Sequence, residues 1–195
     1  HKTPEAEGDF LYPDETETGI KIMSVNLLLD DETTPVLWRG PIIAGTVKQF
    51  YSDIIWGDID YMFIDCPPGT GDVPLTIFQS IPIDGVVVVT TPQDLVSVIV
   101  GKAVHMADSM NIPVIGMIEN MSYFICPDCN NKHYIFGKSQ LEQVIRDLYI
   151  GHAIRLPINP SLAGLMDRGE IEHMEANADL QEFADLISTF DPDKY

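Results

Sequence analysis

Three short runs of apolar residues limit most directly which fold this chain can adopt. They cover residues 61–65, 85–90 and 113–118, and their apolar residues follow one another instead of alternating with polar ones. Unbroken apolarity of this length is typical of strands covered on both faces, as in a parallel sheet. Helical patterns lie between the runs, the longest over 92–110. Strands that alternate with helices predict an α/β fold with a doubly wound, mostly parallel sheet and flanking helices.

The rest of the chain adds patterns of both kinds. Pro41 is expected in the first turn of a helix that runs to about Trp56, because proline suits that position. The other predicted elements are a loop over 1–19, a strand over 20–25, a helix over 138–149, a strand over 152–156, and helices after Pro160 and Asn177. With 195 residues, the chain is expected to form a single domain over 1–195.

The charge of the chain argues against two classes of partner. Its 11 basic and 30 acidic residues give a net charge of −19, and the basic residues are scattered. Such a surface repels nucleic-acid phosphates and anionic headgroups unless a basic patch offsets it. No stretch reaches the ~18–20 apolar residues of a membrane helix, and the polar first residues do not resemble a signal peptide. We therefore expect a cytoplasmic protein that binds neither nucleic acid nor membranes.

The strongest chemical signal is the string from Asp65 to Asp72, Asp-Cys-Pro-Pro-Gly-Thr-Gly-Asp, directly after the first apolar run. Ligands of doubly wound folds gather beyond the carboxyl ends of the strands, where a carboxylate and a glycine-rich loop suit Mg²⁺ and a phosphate. Asp65 would hold Mg²⁺ through water, and Gly69 would offer its backbone N–H to a terminal phosphate. The plain alternative is that Asp65 ends a strand and the Pro-Pro-Gly run turns the chain.

A second signal is the pair Cys126 and Cys129, which lies in an aromatic-rich loop over 123–137. Such a pair can be a redox dithiol, half of a Zn²⁺ or Fe–S site, or two unconnected thiols. Its position between two short apolar pieces, and not at the start of a helix, disfavours the redox role. Because both metal sites normally take four ligands, a second copy could supply the other two across a symmetric dimer. Alternatively, His133 could add a third Zn²⁺ ligand within one chain.

Five motifs in the same order carry a family resemblance. They are Trp38-Arg39-Gly40-Pro41, the string from Asp65 to Asp72, Thr90-Thr91-Pro92-Gln93, Glu119-Asn120-Met121-Ser122, and Cys126-Pro127-Asp128-Cys129 followed by Ile135-Phe136-Gly137. Over residues 20–170 the chain resembles the Mrp/ApbC family of P-loop NTPases, which are similar to MinD and ParA in fold. The resemblance implies an ATP-dependent homodimer that carries a labile [4Fe–4S] cluster, or Zn²⁺ in its place, and hands the cluster to apo-proteins.

By position, the resemblance also assigns roles to single residues. Asp65 becomes the catalytic, Walker-B-like residue at the ATP and Mg²⁺ site. The second switch comprises Gly69, Thr70, Gly71 and Asp72. Asn120 becomes the residue that hydrogen-bonds adenine, which suits an amide with both a donor and an acceptor at the ligand edge of a strand, although a lone Asn there would more often cap or turn the chain. Cys126 and Cys129 become the ligands of a cluster bridged between two chains.

The sequence departs from this family at the loop that grips the phosphates. A P-loop ATPase uses G-x-x-x-x-G-K-[S/T], and no such string occurs in these 195 residues. In the family, this Walker A motif, its strand and its helix precede the point where His1 begins, so we expect a partial, N-terminally truncated nucleotide-binding domain. The full-length parent is expected to be an ATPase. This chain alone is expected to be inactive, because the groups that position and neutralise the γ-phosphate are missing.

Two other functions fit parts of the sequence. A partitioning ATPase similar to ParA or MinD would use the same fold but would need a basic surface or an amphipathic anchor, and it leaves the cysteines without a role. A non-catalytic module that binds only metal, as a dimer, would be folded and loaded but would have no affinity for nucleotide. The acidic charge argues against the first function, and nucleotide binding would argue against the second.

Overall fold

The protein is described by a computed structural model. The structure describes residues 4, 6–8, 10–29, 40–175 and 177–194, and the chain divides into two compact units, His1–Pro82 and Ile83–Tyr195. Both units combine helices with strands, which confirms the α/β class. The single nucleotide-binding domain expected over 1–195 stays a prediction. None of the helices in the described residues is long and apolar enough to cross a membrane.

Two small antiparallel ribbons begin the first unit. Their strands are β1 (Ala6–Glu7) with β2 (Phe10–Leu11), and β3 (Asp14–Glu15) with β4 (Lys21–Ile22). The loop predicted over 1–19 therefore contains short strands, and the strand predicted over 20–25 ends at Ile22, before a 3₁₀ helix over Val25–Leu28. Both predictions were wrong in these details because a two-residue strand is too short for a periodic pattern.

The first long helix begins where Pro41 predicts it. α1 (Gly40–Ser52) has Pro41 as its second residue and packs against α2 (Asp72–Ser80). Proline is tolerated there because the first N–H groups of a helix have no partner within the helix. Trp38 and Arg39, the first half of the motif at this position, lie outside the described residues.

The end of α1 differs from the prediction of about Trp56. The helix ends at Ser52 because the backbone groups that follow it bond to Leu11 instead. Leu11 N–H donates to Asp53 O at 3.1 Å, and Ile55 N–H donates to Leu11 O at 2.8 Å. This pairing replaces the bonds that a further helical turn would make, and it ties the start of the unit to the end of α1.

The strand predicted over residues 61–65 is wrong. No strand of the described residues pairs with this segment, and Tyr61 and Phe63 are 57% and 74% exposed. An unbroken apolar run shows only that both faces of a segment could be buried against other parts of the protein. A strand also needs neighbours whose backbone groups pair with its own, and the part of the chain that the structure describes provides none here.

The second unit is built around a mixed four-stranded sheet. Its main elements are β5 (Val86–Thr90), α3 (Asp94–Ser109), β6 (Val114–Ile125), β7 (Lys132–His133), α4 (Leu141–Asp147), β8 (Ala153–Pro157), α5 (Pro160–Asp167) and α6 (Ala178–Ser188). Short 3₁₀ helices cover Ile171–His173 and Pro192–Lys194. β6 pairs in parallel with both β5 and β8, whereas β7 pairs with it antiparallel. The predicted parallel arrangement is therefore confirmed for three strands.

The core of this unit lies between the sheet and its helices. Its buried side chains are Val88, Val100, Val104, Met117, Leu141 and Ile150. Gly116 lets β6 approach its neighbours closely, because a Cβ there would lie 2.9 Å from His152 O and from two ring atoms of Phe183. Asn159 and Asn177 accept backbone N–H bonds at the starts of α5 and α6, which confirms the helices predicted after Pro160 and Asn177.

β6 is longer than predicted and changes partners along its length. Its first half pairs with β5 and β8, and its last residues pair with β7. Met121 has φ 55°, in the left-handed region, and the register against β8 shifts between Glu119 and Tyr123. This bend carries the strand out of the parallel sheet, so that the same strand becomes one arm of a hairpin.

Candidate functional site

The Cys126–Cys129 pair lies in the turn of the hairpin formed by β6 and β7. Two backbone bonds close the turn. Cys126 N–H donates to Asn131 O at 3.0 Å, and Asn130 N–H donates to Cys126 O at 2.9 Å. Asn130 has φ 55°, a conformation that asparagine adopts more readily than most residues. The backbone of the turn is therefore held independently of any ligand.

Three potential metal ligands converge at this turn. The sulfur atoms of Cys126 and Cys129 and a ring nitrogen of His133 all lie within 4.8 Å of one another. Sulfur ligands of a tetrahedral Zn²⁺ ion, each about 2.3 Å from the metal, lie about 3.8 Å apart. Cys126 is half-buried, and Cys129 and His133 are exposed. The limit of 4.8 Å exceeds that spacing by only about 1 Å.

The electrostatics of the turn favour the thiolate form of Cys126. Hydrogen bonds to its sulfur from the backbone N–H of Cys129, then from that of Asp128, lower the pKa of the Cys126 thiol, and the Cys129 side chain adds to the effect. Partial burial opposes it but is the smaller cause. Because the thiolate is the form that binds metals, the turn prepares Cys126 for coordination.

The arms of the hairpin are fixed by contacts of their own. The Lys132 ammonium lies 4.1 Å from the centroid of the Tyr123 ring, within the range of a cation–π interaction. Ile158 N–H donates to Tyr123 O at 2.7 Å, which ties the β6 arm to the residue after β8. Beyond the second arm, Tyr134, Ile135 and Phe136 are exposed.

A buried carboxylate braces the base of the hairpin. Glu119 is 3% exposed, and its two oxygens accept hydrogen bonds from the hydroxyls of Ser122 and Ser139, the latter at 2.9 Å. Arg155 Nε lies 3.7 Å from the Glu119 carboxylate, and its Nη2 atom donates to Glu142 at 3.1 Å. These bonds connect β6, β8 and the start of α4, as a buried charge requires.

A cleft opens at the carboxyl edge of this sheet. It follows β5 and borders the same buried carboxylate, and its polar or turn-forming lining residues are Thr90, Thr91, Pro92, Gln93, Glu119 and Gln140. A neighbouring cleft shares Pro92, Gln93 and Gln140 and adds Phe136, Gly137 and Lys138. The Thr90–Gln93 motif therefore lines the edge at which ligands of doubly wound folds bind.

In the first unit, the string from Asp65 to Asp72 forms an exposed loop that leads into α2. Gly69 has φ 90°, and no atom lies within 4 Å of where its Cβ would stand, so this position favours glycine and leaves open space beside the backbone. Gly71 is the N-cap of α2 and has no side chain to satisfy the first N–H groups of the helix. Such a helix start is suited to an anion.

Cys66 lies in this loop and differs from Cys126 in its electrostatics. Desolvation by surrounding protein atoms raises the pKa of the Cys66 thiol, and the carboxylate of Asp65 raises it further. A protonated thiol is a poor metal ligand and a poor nucleophile. Cys66 therefore lacks the features that prepare Cys126 for coordination.

Known proteins are similar to this chain in sequence and in fold. A family model described as ParA, NUBPL iron-transfer P-loop NTPase, matches residues 1–190. The chain belongs to this family. The match confirms the P-loop NTPase class that the motifs predict, and it includes residues of both units.

Curated proteins similar to this chain include iron–sulfur cluster carriers. The iron–sulfur cluster carrier protein of Methanocaldococcus jannaschii is 48% identical over 160 residues, which are 82% of this chain and 55% of the relative. That of Methanococcus maripaludis is 40% identical over 188 residues, which are 95% of this chain and 65% of the relative. The chain thus spans less than two thirds of the length of either carrier.

A solved structure shows the same fold. The nucleotide-binding protein of Archaeoglobus fulgidus, in complex with ADP and with cobalt found in it, is 37% identical to this chain. It superposes with a TM-score of 0.78, covering 93% of this chain and 69% of its own. The sequence identity and the TM-score confirm that this chain has the fold of a nucleotide-binding P-loop protein.

The structure brings some of the predicted site residues together. Cys126 and Cys129 share one turn, and the second-switch residues from Gly69 to Asp72 form one continuous loop and helix start. Asn120 is exposed at the bend of β6, and its side-chain oxygen accepts the N–H of Met121 at 2.9 Å. Its contact with adenine and the catalytic role of Asp65 stay predictions.

Sequence reasoning missed the Glu119 network. The sequence marks Glu119 only as part of a motif, yet it is one of two buried polar residues in the described chain, together with Ser122. A signal was present, because an acidic residue directly follows the apolar run over 113–118. A charge at the end of a buried strand needs partners, and Ser139 and Arg155 supply them here.

Proposed function

We propose that this chain is the nucleotide- and cluster-binding part of an ATP-dependent carrier that takes up a [4Fe–4S] cluster and transfers it to apo iron–sulfur proteins. The observation that carries the proposal is the hairpin turn, which gathers Cys126 and Cys129 and favours the thiolate of Cys126. The family and the two curated carriers support it. The cluster is the cargo of this reaction, and the cysteines are its temporary ligands.

The proposed cluster bridges two copies of the chain. A [4Fe–4S] cluster takes about four cysteine thiolates, and one chain offers the single pair Cys126 and Cys129 apart from Cys66 in the other unit. A two-fold axis beside the hairpin would bring two identical pairs together. Cys129 is exposed and Cys126 is half-buried, so both thiols can be reached by a second copy.

ATP with Mg²⁺ is the proposed nucleotide ligand. Asp65 would hold Mg²⁺ through water, the backbone at Gly69 and the start of α2 would contact phosphate, and Asn120 would hydrogen-bond adenine. The exposed Asp65 carboxylate and the open backbone at Gly69 fit these roles. Mg²⁺ neutralises phosphate charge when it is bound. The ADP complex of the Archaeoglobus relative supports nucleotide binding.

In this proposal, ATP hydrolysis needs a phosphate-gripping loop in addition to the residues of this chain. The 195 residues contain no Walker A motif, so the lysine and backbone cradle that stabilise the γ-phosphate are not supplied by this chain. We expect no useful ATP turnover by the chain alone. The cytoplasmic location inferred from the sequence belongs to the same proposal.

Anaerobic reconstitution with iron and sulfide tests the cluster site. The wild-type chain should turn brown, bind about four iron atoms per two chains and elute as a dimer. The Cys126→Ser/Cys129→Ser variant should do none of these. Cys66→Ser removes the third thiol of the chain and is the matched control, which should keep the cluster. A colourless wild-type protein, or a double variant that still binds the cluster, would contradict the proposal.

A further inference from the structure

His133 lies on the same face of the hairpin as Cys126. In the antiparallel ladder, His133 is opposite Phe124. Cys126 lies two positions after Phe124, just beyond the end of β6, where its N–H continues the pairing by donating to Asn131 O. Residues two apart on a strand share a face, so Cys126 and His133 are diagonal neighbours. A register shift of one residue would move His133 to the opposite face. The pairing thus explains why its ring nitrogen comes within 4.8 Å of both sulfur atoms.

The side chain of Lys132, the residue before His133, interacts with an aromatic ring and not with the cysteines. Lys132 precedes His133 on β7, so the pleat directs it to the other face of the hairpin. Its ammonium lies 4.1 Å from the centroid of the Tyr123 ring. Positive charge is therefore kept away from the face that carries the two sulfur atoms and the imidazole.

We propose that Cys126, Cys129 and His133 bind one thiophilic divalent cation, such as Zn²⁺, Co²⁺ or Fe²⁺, within a single chain. Two thiolates and one imidazole belong to the ligand set of tetrahedral Zn²⁺ sites, and a water molecule would occupy the fourth position. Each thiol releases its proton to solvent on binding, and the two thiolates balance the charge of the ion. This site uses the cysteines of the proposed cluster site but needs neither the cluster nor a second copy.

The mononuclear site and the bridged cluster exclude each other. Each sulfur atom that binds the single ion is unavailable to a cluster shared with a second copy. His133 distinguishes the two states, because the bridged cluster takes its ligands from cysteines alone. This competition rests on the proposed cluster function, whereas the three-ligand site stands on the geometry of one hairpin.

A Co²⁺ titration of the reduced, metal-free chain tests the site. Wild type should develop thiolate-to-cobalt charge-transfer bands and tetrahedral d–d bands that saturate at one Co²⁺ per chain, and it should remain a monomer in sizing experiments. Loss of an outer partner of a metal ligand costs about 10–100-fold in affinity. Loss of the ligand itself, in His133→Ala, should therefore weaken Co²⁺ binding at least about tenfold in competition with a chelator.

Two further variants keep the test independent of folding. His105→Ala removes an exposed histidine on α3 and should leave Co²⁺ affinity unchanged. His133→Cys replaces the nitrogen ligand with a third sulfur. It should restore tight binding and raise the charge-transfer absorbance by about half, because the number of thiolates increases from two to three.

Three results would overturn the inference. They are saturation at half an equivalent of Co²⁺ with dimer formation, equal affinities of wild type and His133→Ala, and absence of Co²⁺ binding by wild type. Iron–sulfide reconstitution of His133→Ala separates this inference from the proposed function, because the bridged cluster should still form there. Failure of reconstitution in wild type, with His133-dependent Co²⁺ binding intact, would instead sink the cluster proposal alone.

Discussion

The two cysteine-bearing segments of this protein differ in how their backbones are held. Residues 61–70 make no backbone hydrogen bond to another described residue, and the apolar side chains from Tyr61 to Ile64 are exposed. Residues 123–133 form a hairpin with two ladder pairs, a closed turn and a braced base. Only the second segment brings several ligand atoms together. The contrast shows that a sequence motif provides the reactive side chains, whereas paired backbone segments hold such side chains in a fixed arrangement.

The thiols of the two segments also differ, because their pKa values shift in opposite directions. Backbone N–H groups directed at its sulfur lower the pKa of Cys126. Desolvation and the Asp65 carboxylate raise the pKa of Cys66. The carboxylate that suits Mg²⁺ in the first segment therefore works against a thiolate beside it. A cation site and a thiolate site place opposite demands on their surroundings, and the chain keeps them on different segments.

The largest expected difference is in amide hydrogen exchange, between the unpaired residues 61–66 and the paired sheet of the second unit. The N–H groups of residues 61–66 have no described partner and should exchange at nearly the rate of an unfolded peptide. Met117 N–H donates to His152 O at 2.9 Å in the buried sheet, and it should be slower by about a thousandfold or more. Exchange measured by NMR or mass spectrometry checks this. Strong protection of residues 61–66 would mean that they are paired as a strand.

The pH dependence of alkylation sharpens the thiol comparison. Only the thiolate reacts with iodoacetamide, so a lowered pKa moves the rise in rate to lower pH and a raised pKa moves it to higher pH. In the metal-free chain, Cys126 should therefore reach half of its maximal rate below the pH of an ordinary cysteine, and Cys66 above it. Peptide mass spectrometry can follow both sites in one sample. The reverse order would contradict the hydrogen bonds assigned to the Cys126 sulfur.

Of the three effects expected here, the one from replacing the buried carboxylate of Glu119 should be the smallest. Glu119→Gln removes the charge that faces Arg155 and gives one oxygen position an amide donor beside a serine hydroxyl. We expect a loss of about 1–3 kcal/mol in the free energy of unfolding, measured with urea. Glu142→Gln is the matched control, because it faces the same arginine from an exposed position and should cost only about 0–1 kcal/mol. Equal losses would show that the network does not brace the hairpin.

Much of the second unit could be predicted because its signals are local. Unbroken apolar runs predict β5 and the first half of β6, and a proline or asparagine at a helix start predicts α5 and α6. The cysteine spacing likewise identifies the pair that the turn brings together. In each of these cases the determining atoms lie within a few residues of one another.

The missed features depend on partners distant in the chain. The run over 61–65 has the composition of a covered strand, but composition does not reveal whether a neighbour pairs with it. The bend at Met121 accompanies a shift in the register between β6 and β8. The position of His133 opposite Phe124 follows from the register between β6 and β7, which also decided whether His133 could reach the cysteines. Apart from Ser122 on the same strand, the partners of Glu119 are Ser139, just before α4, and Arg155 on β8, and no local pattern predicts these two.

Because β6 runs from the core to the cysteine turn, metal binding at the turn should change the melting temperature of the protein. The same strand lines the core at Met117 and carries Cys126 just beyond its end, so the sheet and the hairpin share one continuous strand. An ion that binds only the folded hairpin then stabilises the whole second unit, by about 2.7 kcal/mol at one hundred times its dissociation constant. The melting temperature of the protein should consequently rise with free metal concentration, and a calorimeter could report whether the turn is loaded.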